Sequence, residues 1–484
     1  MRSENQPTLR PLIRESSLYG AGLALARGLS TLVTPLLARV FTPSEFGLLE
    51  LLQTVAGLCS MLLSLYMESA LLRYFPEERD KGLLVSTYMF TQLGLSAAFL
   101  VTLGILAPHA AAWIGLPDVT PLWAAAFSVV ATLSYTHALT LLRAQRAASL
   151  AASVIAANAA LNVLLLIGLF ALFAPSLALI FTAKALADLA STTAVVWSQR
   201  SLYGCRYSLA AALRFLRFGL PLLPEGLVAF AGAHTTKLYL LQYASLADLG
   251  MLGLANRLGG VIRLFLAAFR QAWQPFAFSI QDSGAVDIVV IRAFRFYSRA
   301  ALIGLLVFSL SAREILLIFA SPHYLPALPL VPATAAAIVV GGLPYVFSIG
   351  LLLEGKTYYY TLATLLASAT SAGSAWWLVS QYGVLGAPFA SLLGSVTFAI
   401  VVFVASKKVR AGPYETTPVI TFIAAATTVA VAGALGIADC HPITRMGLVS
   451  IAAVTGLWGR GFCRAIWTGK IARLKRRAKH DSGL

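Results

Sequence analysis

Long uncharged apolar runs constrain this chain more than any motif in it. Val85–Ala107, for example, carries no charged residue. A helix needs about 20 mostly apolar residues to cross a bilayer, whereas a membrane β-barrel strand shows short apolar–polar alternation. With 484 residues, 59% of them hydrophobic and only 11% charged, the chain has material for roughly 14 spans and little else. A large soluble catalytic domain is excluded. The expected fold is an all-α polytopic membrane protein.

Apolar runs and helix breakers place spans near 17–39, 46–72, 83–107, 121–142, 151–173, 176–197, 218–242, 250–272, 299–319, 329–352, 358–379, 385–405, 417–438 and 444–463. The net charge of +17 then becomes a statement about topology. Arg2, Arg10, Arg14, Arg73, Arg79, Lys81, Arg143, Arg146, Arg200, Arg206, Arg214, Arg217, Arg292, Arg295, Arg299, Lys356, Lys407, Lys408 and Arg410 all fall on one side with the tail. The opposite loops hold Arg39 and Arg445. The positive-inside rule therefore predicts two cytoplasmic termini and an even span number. The N-terminus lacks a short apolar core with a small-residue cleavage site, so the first span reads as permanent. The basic run Lys470, Arg473, Lys475, Arg476, Arg477 and Lys479 reads as a membrane-lipid contact rather than a nucleic-acid one.

Cys59, Cys205, Cys440 and Cys463 predict no disulfide, because only Cys440 reaches the outside. The six histidines, His109, His137, His234, His323, His441 and His480, show no metal-ligand spacing. There is no Walker sequence, so ATP is not the direct energy source. No metal and no cofactor are expected.

An internal repeat carries more. Thr42-Pro43-Ser44-Glu45-Phe46-Gly47-Leu48-Leu49-Glu50-Leu51 lies over Ser245-Leu246-Ala247-Asp248-Leu249-Gly250-Met251-Leu252-Gly253-Leu254 at a constant offset of 203. A capping turn that arose twice would explain the acid and the glycine. It would not explain why the same offset matches Gln53 to Asn256 and Gly57 to Gly260. The expected organisation is two six-helix lobes in parallel orientation, 1–209 and 210–412, followed by two extra helices and the tail, 413–484.

Several segments resemble the Wzx-type oligosaccharide flippases, the polysaccharide-transport branch of the multidrug/oligosaccharidyl-lipid/polysaccharide exporter superfamily. They are Pro35-Leu36-Leu37-Ala38-Arg39-Val40-Phe41-Thr42-Pro43-Ser44-Glu45-Phe46-Gly47, Leu72-Arg73-Tyr74-Phe75, Leu142-Arg143-Ala144-Gln145, Leu216-Arg217-Phe218-Gly219-Leu220-Pro221-Leu222-Leu223-Pro224 and Ala272-Trp273-Gln274-Pro275-Phe276. In order and at this spacing they cover most of the chain. The resemblance implies transport of undecaprenyl-pyrophosphate-linked sugar repeat units from the inner to the outer leaflet of the bacterial cytoplasmic membrane, for O-antigen, capsule or exopolysaccharide. It also implies a lipid-linked oligosaccharide and polysaccharide-assembly proteins as partners. Glu225 after the Pro221/Pro224 pair, and Lys184 with Asp188 inside span six, depart from the family pattern.

Ionisable groups within spans are functional pointers on their own account, since each is costly in hydrocarbon unless paired or wetted. In span eight, Asn256, Gly260, Arg263, Ala267, Arg270 and Gln274 recur at steps of 3 and 4, forming one stripe flanked by Arg257. Span one offers Gly20, Ala24, Arg27, Thr31 and Thr34, and span seven offers His234 and Lys237, which the offset maps onto Thr31 and Thr34. Arg27, Lys237, Arg257, Arg263 and Arg270, with His234 and Asn256, are the candidate lining of a central cationic cavity for a diphosphate. Snorkelling to headgroups is the alternative for Arg257, Arg270 and Lys237. Lys184 and Asp188, four apart, read as a neutralising pair. Asp188, Lys184, Glu225, Glu50 and Glu68 are the candidates for H+ or Na+ coupling. The competing functions are a multidrug cation antiporter, which calls for an acidic aromatic site, and a membrane sugar polymerase, which calls for a large outer loop. The longest outer loop expected is Pro108–Thr120.

Overall fold

The structure, a computed structural model, describes residues 10–279, 286–409 and 416–436 apart from 115, 117 and 357; every regular element among them is helical. The first half of the chain comprises α1 (Arg10–Val40), α2 (Pro43–Ser64), α3 (Met67–Tyr74), α4 (Lys81–Ile114), α5 (Thr120–Ala144), α6 (Ala148–Leu172) and α7 (Leu177–Ser198). The second comprises α8 (Leu209–Gly219), α9 (Leu223–Tyr243), α10 (Leu246–Leu258), α11 (Gly260–Ser279), α12 (Val286–Leu310) and α13 (Ala312–Phe319). It continues with α14 (Leu330–Gly341), α15 (Pro344–Leu353), α16 (Tyr358–Tyr382) and α17 (Gly386–Val409), and α18 (Thr416–Ala434) follows.

The first thirteen predicted spans fall on these helices, and eleven stretches of the described residues are long and apolar enough to cross a membrane. The fourteenth predicted span and the basic tail lie outside the described residues. Spans two, seven, eight, nine and ten are each divided into two helices. Span two breaks at Leu65 and Tyr66, both left-handed at φ 45° and 53°, a conformation that non-glycine residues adopt only at a cost. Another difference lies at Pro108. The expected loop Pro108–Thr120 is helix as far as Ile114, because Ala107 and Ala111 remain buried and packing carries α4 through the proline.

The repeat appears as two matching helix starts. Thr42 and Glu45 form a capping box on α2, with the Thr42 amide donating to Glu45 Oε2 at 2.8 Å. Ser245 and Asp248 do the same on α10 at 3.0 Å. The two helices cross where the glycines of the repeat meet. A Cβ at Gly47 would stand 1.7 Å from the Leu246 carbonyl oxygen, and one at Gly250 would stand 1.9 Å from that of Pro43. Leu246 is the repeat partner of Pro43, so the clash is reciprocal and the pseudo-twofold axis passes between the two glycines. Around the crossing an apolar core draws on both halves of the chain, with Leu37, Phe41, Phe46 and Leu49 against Leu254, Leu258, Leu316 and Tyr324. The Tyr324 hydroxyl donates to the Phe41 carbonyl at 3.0 Å.

At the opposite, basic end the segment after α7 and helix α8 are tied to the loop between α3 and α4. Arg206 pairs with Asp80, and Arg214 pairs with Glu78 at 3.1 Å while covering the Tyr74 ring at 4.6 Å. Because backbone lies on both sides of the α2–α10 crossing, Gly250→Ala is expected to destabilise the protein by about 1–3 kcal/mol. Gly94→Ala, where a Cβ meets nothing within 4 Å, is expected to leave the melting temperature of the purified protein unchanged or raised.

Candidate functional site

Glu50 lies on α2 seven residues past Pro43, which at helical rise is about 10 Å into the span. Its repeat partner is Gly253, and a Cβ there would come within 2.5 Å of Glu50 Cγ. The glycine is what admits the carboxylate between α2 and α10. Two cations of the second lobe meet it. Lys237 Nζ on α9 donates to Oε2 at 2.7 Å, and the Arg257 guanidinium on α10 reaches Oε1 at 2.9 Å. Arg257 also donates to Gln53 Oε1 at 2.8 Å and stacks over the Phe46 ring at 4.8 Å. Thr54 Oγ1 lies 3.5 Å from Lys237 Nζ and donates to the Glu50 carbonyl at 2.7 Å.

The three charged side chains are 8%, 20% and 22% exposed, so they are largely removed from solvent. One carboxylate against two cations leaves the cluster with a net charge of +1. The chemistry available is ion exchange: an incoming dianion could replace the carboxylate on both cations and neutralise them fully. Glu50, a coupling candidate from sequence, thus belongs with the candidate diphosphate residues Lys237 and Arg257.

The other candidates are placed differently. Span eight is interrupted at Gly259, so Asn256 and Arg257 sit on α10 while Arg263 and Arg270 sit on α11. Arg263 folds back on Asn256, donating to its carbonyl at 3.2 Å and its Oδ1 at 3.4 Å, and satisfies an acceptor near the end of α10. Arg270 covers the Tyr345 ring at 4.8 Å and takes no part in the Glu50 cluster. His234 packs on Phe230 with centroids 4.2 Å apart, and its buried Nδ1 has no hydrogen-bond partner among the described residues. Arg27 lies on α1, and its side chain is outside what the structure describes.

A second polar centre lies within the first lobe. Asp188 on α7 is 1% exposed and accepts from Lys184 Nζ at 2.8 Å, Thr132 Oγ1 on α5 at 2.6 Å and Asn158 Nδ2 on α6 at 3.0 Å. Asn158 also donates to Ser191 Oγ at 3.1 Å. Sequence reasoning missed Thr132 and Asn158. An asparagine in the middle of the apolar span five was a usable signal, whereas Thr132 was one threonine among many that bond their own helix backbone. Glu68 on α3 is partly buried, with Oε2 unpartnered among the described residues, and Glu225 is exposed on the first turn of α9. Among the described residues no three His, Cys, Asp or Glu side chains gather as a metal site.

These helices, the repeat and the buried charges define an integral membrane protein of transporter architecture. The chain belongs to the polysaccharide biosynthesis protein family, matching it over residues 12–281, in agreement with its Wzx-type resemblance. Among solved structures it is similar to the lipid II flippase MurJ in an inward closed conformation, with a TM-score of 0.69 and 13% identity, covering 93% of this chain and 99% of that one. It is also similar to an inward-facing multidrug resistance MATE family transporter of the MOP superfamily, with a TM-score of 0.62 and 13% identity, covering 84% and 95%. A MOP superfamily transporter from Pyrococcus furiosus is similar at a TM-score of 0.51 and 14% identity, covering 82% and 95%. At these identities the likeness establishes a shared fold. No curated protein matches the chain in sequence.

Removing only the carboxylate leaves two buried cations uncompensated. Glu50→Gln is therefore expected to cost about 3–5 kcal/mol, and adding Lys237→Met and Arg257→Met to it is expected to recover most of that loss. Thermal unfolding of the purified single and triple variants distinguishes the two.

Proposed function

We propose that this protein translocates an undecaprenyl-pyrophosphate-linked oligosaccharide across the bacterial cytoplasmic membrane by alternating access, supplying surface polysaccharide synthesis. The observation that carries the proposal is the membrane-embedded pair Lys237 and Arg257, held across the lobe boundary by Glu50 with positive charge in excess. A diphosphate carries enough charge to displace Glu50 from both. Arginine offers it a bidentate fork and lysine a point charge. The sugar would occupy the space between the lobes while the prenyl chain stays in lipid.

In this reading the lobes are 1–209 and 210–412, with 413–484 appended and both termini cytoplasmic. The Thr42 and Ser245 ends of α2 and α10 then face outward, and the Glu50 cluster closes the outer side. Substrate entering from the inside exchanges for Glu50, weakens the contact between lobes and favours the outward-open form. Arg27, Arg263 and Arg270 extend the cationic path, with His234 and Asn256 beside it. No covalent bond is made or broken. The Asp188 centre is the coupling site we favour, because a buried carboxylate there is held by the Thr132 hydroxyl and the Asn158 amide nitrogen from two other helices, and Lys184 already supplies it with a positive charge. Glu68 and Glu225 are less well placed, since neither is held by such a group of partners. A multidrug cation exporter is disfavoured by the sign of the inter-lobe cluster.

Depletion of the protein in its host should make a prenyl-diphosphate glycan accumulate in the lipid extract, read by mass spectrometry. Wild-type expression should clear it; Lys237→Gln, Arg257→Gln and Asp188→Asn should each slow clearance tenfold or more at equal membrane levels. Absence of that lipid together with new sensitivity to cationic drugs would transfer the assignment to the drug-exporter reading.

A further inference from the structure

The appended helix α18 is attached to the second lobe unevenly. Along one face, Val419, Phe422, Ala426 and Ala430 are buried in the core shared with α14 and α12. Near its C-terminal end Gly433 sits against Pro332 of α14, where a Cβ would come within 2.4 Å of the proline ring. Its N-terminal half stands apart from α17, although α17 precedes it in the chain. Between the two helices lies an apolar crevice of about 610 Å³, walled by Ile400, Phe403 and Val404 on one side and Val419, Ile420 and Ile423 on the other. Ile400, Val404 and Ile420 are exposed.

One end of this crevice is polar and positively charged. Lys407, Lys408 and Thr416 line it, and Lys407 Nζ reaches Thr416 Oγ1 at 3.4 Å. Among the described residues neither lysine has an acidic partner. A slot that is apolar along its length and cationic at the membrane-surface end matches one kind of molecule, an amphiphile with an acyl chain and an anionic head. Two lysines beside a hydroxyl suit a phosphodiester, with the ammonium groups as point charges and the hydroxyl as donor.

We propose that this crevice binds an anionic glycerophospholipid of the phosphatidylglycerol type, its phosphate on Lys407 and Lys408 and one acyl chain between α17 and α18. The lipid fills the gap that helix–helix packing leaves and joins the appended helix to the lobe. The site is separate from the Glu50 cluster and does not depend on the transported substrate.

The test is native mass spectrometry of the full-length protein, delipidated in mild detergent and titrated with dioleoyl phosphatidylglycerol or dioleoyl phosphatidylethanolamine. Wild type should take up one phosphatidylglycerol per chain at least tenfold more tightly than phosphatidylethanolamine. Lys407→Gln with Lys408→Gln should abolish that preference. Ile420→Trp, which fills the slot and keeps both charges, should lower uptake of both lipids about tenfold or more. Equal uptake of the two lipids by wild type, or unchanged uptake in both variants, would overturn the assignment. So would a polyprenyl diphosphate displacing phosphatidylglycerol from this site, because the slot would then belong to the transported lipid.

Discussion

The buried carboxylate of Glu50 is paired with cations from the other half of the chain. Glu50 on α2 reaches α9 and α10 and neutralises, in part, two cations that the second half of the chain brings into the membrane. An uncompensated charge at that depth costs several kcal/mol, so the closed arrangement and the pairing require one another. The surrounding apolar core and the glycine crossing bring α2 and α10 close enough for the pairing to form.

The repeat explains both the symmetry of this region and its departure from symmetry. Capping boxes, crossing glycines and helix directions are shared at the offset of 203. The charged positions are not: Glu50 pairs with Gly253, Thr54 with Arg257, and Thr34 with Lys237 in the repeat. One lobe supplies the anion and the room for it, and the other supplies the cations. A duplicated scaffold has thus become a polar contact with a donor side and an acceptor side. Such a contact can be exchanged for a ligand without dismantling the scaffold around it. The Asp188 centre is confined to the first lobe, its partners drawn from α5, α6 and α7, so the two buried carboxylates act in different settings.

Much of the fold was legible because hydropathy alone marks a span, and the capping residues mark where helices begin. The breaks inside spans were only partly legible. Pro221, Pro224 and Pro344 mark theirs, but Gly259 lies inside a stripe that reads as one continuous helix, and Leu65 and Tyr66 contain neither glycine nor proline to mark their left-handed turn. Pro108 misled in the opposite sense, since buried neighbours keep α4 helical through it. In the site, Lys237 and Arg257 stood out as cations inside spans. Glu50 stood out too, as a coupling candidate, but its pairing with them did not: it is 187 residues from Lys237 and 207 from Arg257, and no local pattern encodes that meeting. The repeat partner Gly253 was the available hint, because a glycine opposite a buried acid leaves room for it. Arg263 stood out equally, yet it is engaged with Asn256.

The central claim is that a diphosphate competes with Glu50 for the two cations and so loosens the closed end. It is tested most directly by measuring the separation of the lobes there. Spin labels at Thr120→Cys on α5 and Gln242→Cys on α9, in a protein with its native cysteines replaced, report that separation by double electron–electron resonance. The account predicts one short distance in the unliganded protein, and a second, longer population when a prenyl diphosphate is added or when Glu50 is changed to Gln. A distance distribution that neither the ligand nor Glu50→Gln alters would contradict it.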